Sequence, residues 1–190
     1  MEKADIYNQS FEQKDFTGHP LETGEYEKCN FSQCNFACAD LSKTFFTDCT
    51  FVNCDLSNAK LMDSGFRNVQ FQHCKMLGLH FENSNKFLLE MNFVDCNLSH
   101  SSFYQLKLKK TNFSNCILQE VDFTEAQLPE ANFSGANLSG ALFENTDIEK
   151  SDFREALHFN IHPEKNNVNN AKFSATNLAG LLAQYPIKIE

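Results

Sequence analysis

Large apolar residues recur at every fifth position over most of this chain. Every such position from Phe11 to Phe81 carries Phe, Leu, Met or Tyr, and the series resumes at Leu88 and continues to Phe153. An amphipathic helix has an apolar period of about 3.6 residues and a half-buried strand a period of two. A period of five fits neither element, so the pattern predicts a different kind of regular structure.

The residues around each central apolar position also follow a pattern. A small residue such as Ala, Cys, Ser or Thr lies two positions before it, and Asp or Asn often lies between the two, as in ANFSGANLSGALFEN at 131–145. The motif A-(D/N)-(L/F)-x-x resembles the pentapeptide repeat family, and the resemblance covers roughly residues 9–180. It implies an all-β fold, a right-handed quadrilateral β-helix of about nine coils in which the central and small residues point inward.

The sequence supports four sides per coil. If four pentapeptides close one coil, and two extra residues lie between Phe81 and Leu88, the residues that stack in one column are all phenylalanines. That column is Phe11, Phe31, Phe51, Phe71, Phe93, Phe113, Phe133, Phe153 and Phe173. Coils stacked like strands lie about 4.8 Å apart, a comfortable spacing for offset aromatic rings.

Three segments follow from this pattern. We expect residues 1–8 to cap the N-terminal end and residues 9–180 to form the β-helix, with a two-residue bulge near 83–90. Residues 181–190 are expected to form a C-terminal cap and dimerisation segment, because the open ends of a β-helix need to be covered. His158 and Pro163 interrupt the apolar series, so we expect a distorted coil near 156–173.

Seven of the eight cysteines occupy the small inward position. Cysteines that stack in one column could form disulfides or bind metal ions. The chain, however, has no C-x-x-C motif and no histidine placed to complete a metal site. We therefore expect buried thiols that fill space as alanine does, and an accessible thiol at Cys38, which lies at an outward position.

The N-terminus lacks the apolar run of a signal peptide, and no apolar stretch approaches the roughly 20 residues of a membrane span. These features favour a cytoplasmic protein with reduced thiols. A rod with a filled interior offers no obvious concave site for catalysis, so we expect no enzymatic activity, no cofactor and no metal.

The bulge is the first candidate partner site. Phe87 and Leu89 lie at outward positions there, and Phe45 lies in the same outward column as Phe87. An exposed apolar cluster beside a loop favours protein binding. The alternative is that these side chains pack the bulge onto the wall of the rod.

Charge gives a second candidate. The net charge of −9 argues against direct binding of nucleic acid, whose phosphates require Lys and Arg. Acidic residues concentrate between 115 and 155, so an acidic rod could compete for a DNA-binding groove, although solubility explains the same charge. The candidate acidic contacts are Glu120, Glu125, Glu130, Glu144 and Glu149.

Length, acidity, cysteine-rich early coils and an apolar tail make the chain similar to the topoisomerase-protecting branch of the family, the Qnr-type and McbG-type proteins. The resemblance implies a cytoplasmic protein that binds DNA gyrase or topoisomerase IV and protects it from a quinolone or a toxin. The chain departs from the Qnr pattern in having one short bulge instead of two longer loops. A generic interaction scaffold with an unrelated regulatory partner is the alternative function.

The apolar tail predicts a homodimer. One face of the tail would cover the last coil, and the other would need a second copy to cover it. The candidate interface consists of Leu178, Leu181, Leu182, Tyr185, Ile187 and Ile189. The alternative is a self-contained cap on a monomer.

Overall fold

The computed structural model describes residues 4–87 and 89–188 and shows an all-β solenoid. All of its paired strands run parallel. The strands are β1 (Ala4–Tyr7), β2 (Ser10–Glu12), β3 (Gly24–Glu27), β4 (Asn30–Ser32), β5 (Phe45–Thr47), β6 (Thr50–Val52), β7 (Gly65–Arg67), β8 (Val69–Gln72), β9 (Met91–Val94) and β10 (Phe113–Ser114). Two short 3₁₀ helices cover Phe81–Asn83 and Leu178–Leu181.

The register of the strands shows that one coil contains twenty residues. Ala4 pairs with Gly24, and Phe31 pairs with Phe51. Across the bulge the offset grows by two, since Phe71 pairs with Phe93. The predicted four-sided coil and the two extra residues are therefore confirmed.

Four ladders of pairing run along the rod, one for each side. The first side is the six-stranded sheet β2-β4-β6-β8-β9-β10, and the fourth side begins with the sheet β1-β3-β5-β7. Single bridges hold the other two sides, the second from Asp15↔Asn35 onward and the third from Asp40↔Lys60 onward. The sides thus differ in strand length but share one register.

The longest sheet has six strands, fewer than the nine coils predicted. Beyond β10 the first side continues through single bridges, in the order Asn112↔Asn132, Asn132↔Asp152 and Asp152↔Lys172. The coils of the C-terminal half therefore stack without forming long strands.

The predicted phenylalanine column forms the centre of the core. Neighbouring rings stack along its whole length, from 4.5 Å between the centroids of Phe133 and Phe153 to 5.3 Å between those of Phe93 and Phe113. Rings of the third side meet this column edge-on, as Phe103 does with Phe113 at 5.6 Å and 80°. Both arrangements are favourable for the quadrupoles of aromatic rings.

In many repeats an Asp or Asn side chain closes the corner of the coil. The side-chain oxygen of Asn97 accepts a hydrogen bond from the backbone N–H of Ser99 at 3.1 Å, and Asp147 does the same for Glu149 at 3.0 Å. The corner residue that follows has a left-handed backbone, with φ of 54° at Gln33. Such a local bond lets short polar side chains stabilise a tight turn, which explains why the motif favours them.

The coil near 156–173 departs from the regular pattern. Phe159 and Ile161 fill the interior where the series would place His158 and Pro163, and the Phe159 ring lies 5.5 Å from that of Phe173. The C-terminal cap then approaches this coil very closely. A Cβ at Gly180 would lie 2.5 Å from the Phe159 ring, so only glycine fits there.

The N-terminal end differs from the expected cap. Ala4–Tyr7 form strand β1, which pairs with β3, because Ile6 occupies the same inward place as Tyr26 one coil later. This segment is therefore part of the first coil. Residues 1–3 of the expected cap lie outside the described residues.

The column predicts a large loss of stability when one of its rings is removed. Phe113 is fully buried, so Phe113→Ala removes its burial and leaves a cavity, and we expect a loss of about 3–5 kcal/mol in the free energy of unfolding. Urea denaturation measures it. The exposed Ile117→Ala in the same coil is the control and should lose less than about 1 kcal/mol. A comparable loss in both variants would contradict this account of the core.

Candidate functional site

A groove with aromatic walls lies on the fourth side, next to the bulge. Its volume is about 260 Å³. We call it the aromatic groove, and its lining residues are Glu25, Phe45, Phe46, Thr47, Gly65, Phe66, Arg67, Asn85 and Phe87. Phe46 and Phe66 belong to the buried core, so the groove opens directly above the interior of the rod.

The register places Phe45 in the middle of this groove. Glu25 pairs with Phe45, and Phe45 pairs with Gly65, so the three residues follow one another along the rod. A Cβ at Gly65 would lie 2.5 Å from Cδ1 of Phe45. The absence of a side chain at Gly65 therefore lets the Phe45 ring lie down against the backbone.

Phe87 enters the groove from the bulge. Its backbone N–H donates a hydrogen bond of 3.0 Å to Oδ1 of Asn85, which is the same turn that closes the regular corners. Its side chain is 75% exposed, the largest exposure among the large hydrophobic residues described. The turn thus orders the backbone at a residue whose aromatic side chain is exposed to solvent.

Leu89 does not join Phe45 and Phe87. The structure places it partly buried against the hydrophobic core, so it packs the bulge onto the rod wall. Of the three residues predicted around the bulge, the groove therefore brings two together. Their role in binding stays a prediction.

Two opposite charges border the groove. Across residues 4–87 and 89–188, neither the carboxylate of Glu25 nor the guanidinium of Arg67 forms an ion pair or a side-chain hydrogen bond. Nearby charges are paired instead, such as Glu27 with Lys28 at 3.2 Å. The two groups are thus available to charges of a partner.

The acidic candidates of the C-terminal half lie on several sides of the rod. Glu120, Glu125 and Glu130 occupy successive corners, each with a left-handed backbone. A single stripe of negative charge does not result from this arrangement.

Each of these acidic side chains also has a polar or cationic neighbour. The distances are 3.3 Å from Glu120 to His100, 2.7 Å from Glu125 to Gln105, 3.1 Å from Glu130 to Lys109, 3.1 Å from Glu144 to Lys165 and 2.7 Å from Glu149 to Lys150. The hydrogen bond from Lys109 holds the pKa of the Glu130 carboxyl below its usual value. The negative charge of the C-terminal half is therefore partly neutralised by neighbouring side chains.

The inward cysteines serve the hydrogen bonding of the coils. The thiol of Cys54 donates to the carbonyl of Phe31 at 3.4 Å, and Thr146, at the small inward position of a repeat on the fourth side, donates to the carbonyl of Phe123 at 2.9 Å. All eight cysteines are free thiols, and only Cys38 among them is exposed. Burial raises the pKa of the Cys49 thiol to about 12, which keeps it protonated.

Neither a metal site nor a membrane-spanning helix is found in the described part of the chain. Within it, no group of three or more His, Cys, Asp or Glu side chains is placed to hold a metal ion. Nor does any helix there have the length and apolar character needed to cross a membrane.

The C-terminal cap exposes an apolar surface. Leu178, Leu182, Tyr185 and Ile187 are all exposed, whereas Leu181 packs partly buried against the core. Ile189 lies outside the described residues. We call the four exposed side chains the C-terminal surface.

Comparison with known proteins agrees with the geometry. The family model described as "Pentapeptide repeat region" matches residues 20–86 and 80–153. The chain belongs to the pentapeptide repeat family. Among curated proteins, no sequence matches it significantly.

Solved structures of pentapeptide repeat proteins share this fold. A trypsin-treated variant of QnrB1, described as a plasmid-mediated fluoroquinolone resistance protein, matches with a TM-score of 0.64 and 17% identity, covering 97% of this chain and 99% of that one. HetL from the cyanobacterium Nostoc, described as involved in heterocyst differentiation regulation, matches with a TM-score of 0.54 and 16% identity, covering 89% and 86%. At these identities the likeness concerns the fold.

Sequence reasoning missed the charged border of the groove. Glu25 and Arg67 lie far apart in sequence, and the column that unites Glu25 with Phe45 appears only when residues twenty apart are compared. Comparing residues in the same outward column could have identified Glu25 as a neighbour of Phe45. It could not have shown that Glu25 lacks an ion-pair partner among the described residues.

The burial of the cysteines predicts selective labelling. In the native protein we expect a thiol reagent to modify Cys38 rapidly and to leave five cysteines that stack in one column protected, because only the exposed thiol is accessible. These five are Cys34, Cys54, Cys74, Cys96 and Cys116. Mass spectrometry after brief labelling measures this, and Cys38→Ser serves as the control. Fast modification of Cys74 in the folded protein would contradict the inward assignment.

Proposed function

We propose that this pentapeptide repeat protein binds a type II topoisomerase in the cytoplasm, DNA gyrase or topoisomerase IV, and protects it from a quinolone or a toxin. The protein would catalyse no reaction itself. The proposal draws support from the likeness to QnrB1, which extends over nearly the whole length of both chains. A rod of this extent can present its sides to a large protein partner.

The observation that carries the binding step is Phe87. Exposed aromatic side chains on a rigid support are typical anchors of protein interfaces, and the hydrogen bond that the Phe87 backbone N–H donates to Asn85 restrains the backbone that carries this one. The backbone at Phe87 therefore loses little conformational freedom when a partner covers the ring.

Negative charge has a secondary role in this proposal. A net charge of −9 repels nucleic acid and favours approach to a basic surface such as a DNA-binding groove, which is the DNA-mimicry component. Glu130 and Glu149 already have lysine neighbours, so their charges add little to a bound complex. In this proposal the net charge speeds association, and the aromatic groove makes the contact that holds the complex together.

A scaffold with an unrelated regulatory partner is the second candidate. The local pairing of the acidic side chains favours it, because paired charges resemble the backbone of a DNA duplex less than free ones do. HetL, which shares the fold, is described by a role in differentiation rather than in resistance.

A supercoiling assay with purified gyrase and ciprofloxacin tests the proposal. We expect the intact protein to raise the ciprofloxacin concentration that halves supercoiling by several-fold, and Phe87→Ser to remove most of this protection because the anchor is lost. Leu142→Ser, which changes an exposed leucine on another side, is the matched control and should protect as well as the intact protein. An unchanged inhibitory concentration with the intact protein would refute the topoisomerase assignment.

We further propose that the protein forms a homodimer through the C-terminal surface. Four exposed apolar side chains lie within ten residues there, in a protein whose mean hydropathy is −0.42. A twofold axis would place the same surface of a second copy over them and cover both. The result would be a rod about twice as long, with the first coils at its outer tips.

Light scattering of the intact chain and of Leu182→Glu with Ile187→Glu tests the dimer. We expect the intact protein to have twice the monomer mass and the double variant the monomer mass, because a dimer of the double variant would bury four carboxylates in an apolar interface. Met62→Glu, at an exposed apolar residue far from the cap, is the control. A monomeric intact protein, or a double variant that still dimerises, would exclude this interface.

A further inference from the structure

We propose that the aromatic groove receives one large apolar side chain from an extended segment of a partner protein, with a cation of that segment on Glu25 and an anion on Arg67. This inference rests on the protein-binding function proposed above and specifies the chemistry of the segment that is bound. It concerns one surface of the rod and one kind of occupant.

The size of the groove favours a single side chain. Pockets for small molecules usually have volumes of about 300–1,000 Å³ and bury most of the ligand. At about 260 Å³ the groove lies below that range, and it opens along the outer wall of the rod. One aromatic or large aliphatic side chain can fill it while the rest of its chain stays outside.

The walls of the groove determine that this side chain is apolar. Phe45 covers the backbone at Gly65, and Phe87 also lines the opening. A ring that enters the groove can pack against the faces or edges of these rings, as the rings of the core do. The exposed surface of Phe87 would then be removed from water.

The charges give the occupant a direction. Glu25 lies one coil before Phe45, and Arg67 lies in the strand one coil after it. Since stacked coils lie about 4.8 Å apart, the two charged residues stand about 10 Å apart along the rod. A partner segment that brings a cation to one end and an anion to the other complements both.

An extended segment matches this spacing. Alternate residues of a strand point to the same side, so the first, third and fifth residues of a pentapeptide face one surface. Their Cα atoms span about 13 Å, and the long side chains of Lys and Glu can take up the difference from 10 Å. The sequence Lys-Ser-Phe-Ser-Glu therefore presents a cation, a ring and an anion in the required order.

The test is a titration of the full-length, ¹⁵N-labelled protein with the blocked peptide acetyl-Lys-Ser-Phe-Ser-Glu-amide. We expect saturable changes in the amide signals of Gly65, Asn85 and Phe87, with a dissociation constant on the order of 1 mM, as is reasonable for a small ligand with one anchor. The same peptide with Ala in place of Phe is the control and should give no saturable change.

Variants of the protein separate the two parts of the inference. We expect Phe87→Ser to abolish the changes and Glu25→Gln with Arg67→Gln to weaken binding roughly three- to tenfold, whereas Leu142→Ser should bind normally. The remaining signals of each spectrum show whether the variant is folded. Equal binding of the Phe and Ala peptides, or full binding by Phe87→Ser, would overturn the inference.

The outcome is independent of the topoisomerase assignment, since the titration contains no topoisomerase. If the groove binds the peptide but the protein fails to protect gyrase, only the proposed function is refuted. If the protein protects gyrase but the groove does not bind the peptide, only this inference is refuted.

Discussion

The in-register stacking of one phenylalanine on the next is the interaction on which the rest of this molecule depends. Rings such as Phe31 and Phe51, 4.6 Å apart, can stack only if equivalent pentapeptides lie directly above one another, so the two extra residues between Phe71 and Phe93 are accommodated in a bulge. That condition fixes the corner geometry, the small inward residues and the closing Asp or Asn turns. Each coil contacts only its neighbours, so stability accumulates along the rod as in other solenoids.

Much of the fold could be predicted because the residues that stack recur at a fixed spacing in the sequence. The column through Phe113, the four sides and the two extra residues at the bulge all follow from it. The placement of Phe159 and Ile161 could not be predicted, since the irregular coil abandons the spacing and its packing decides which side chains turn inward. Leu89 is different, because packing of the bulge onto the rod wall was one of the two arrangements expected for it, and Leu89 does lie partly buried against the core.

The candidate site was only partly predictable for a related reason. A repeat makes inward residues interchangeable, whereas the outward residues are free to differ and carry whatever is specific to this protein. Phe45 and Phe87 stood out as apolar residues in an outward column. Their grouping with Glu25 and Arg67 depends on contacts between neighbouring coils, which periodicity alone does not reveal.

The central claim is that the stacking register stabilises the fold and that the two extra residues of the bulge do not contribute. Urea unfolding of a variant that lacks Lys86 and Phe87 tests this claim most directly. The deletion would bring Ser84-Asn85 directly before Leu88 and so restore the small-(D/N)-L motif of the repeat. The account predicts a free energy of unfolding within about 1 kcal/mol of that of the intact protein and an unchanged dependence on urea. A loss of several kcal/mol would contradict it and would show that the two residues are part of the stacked structure.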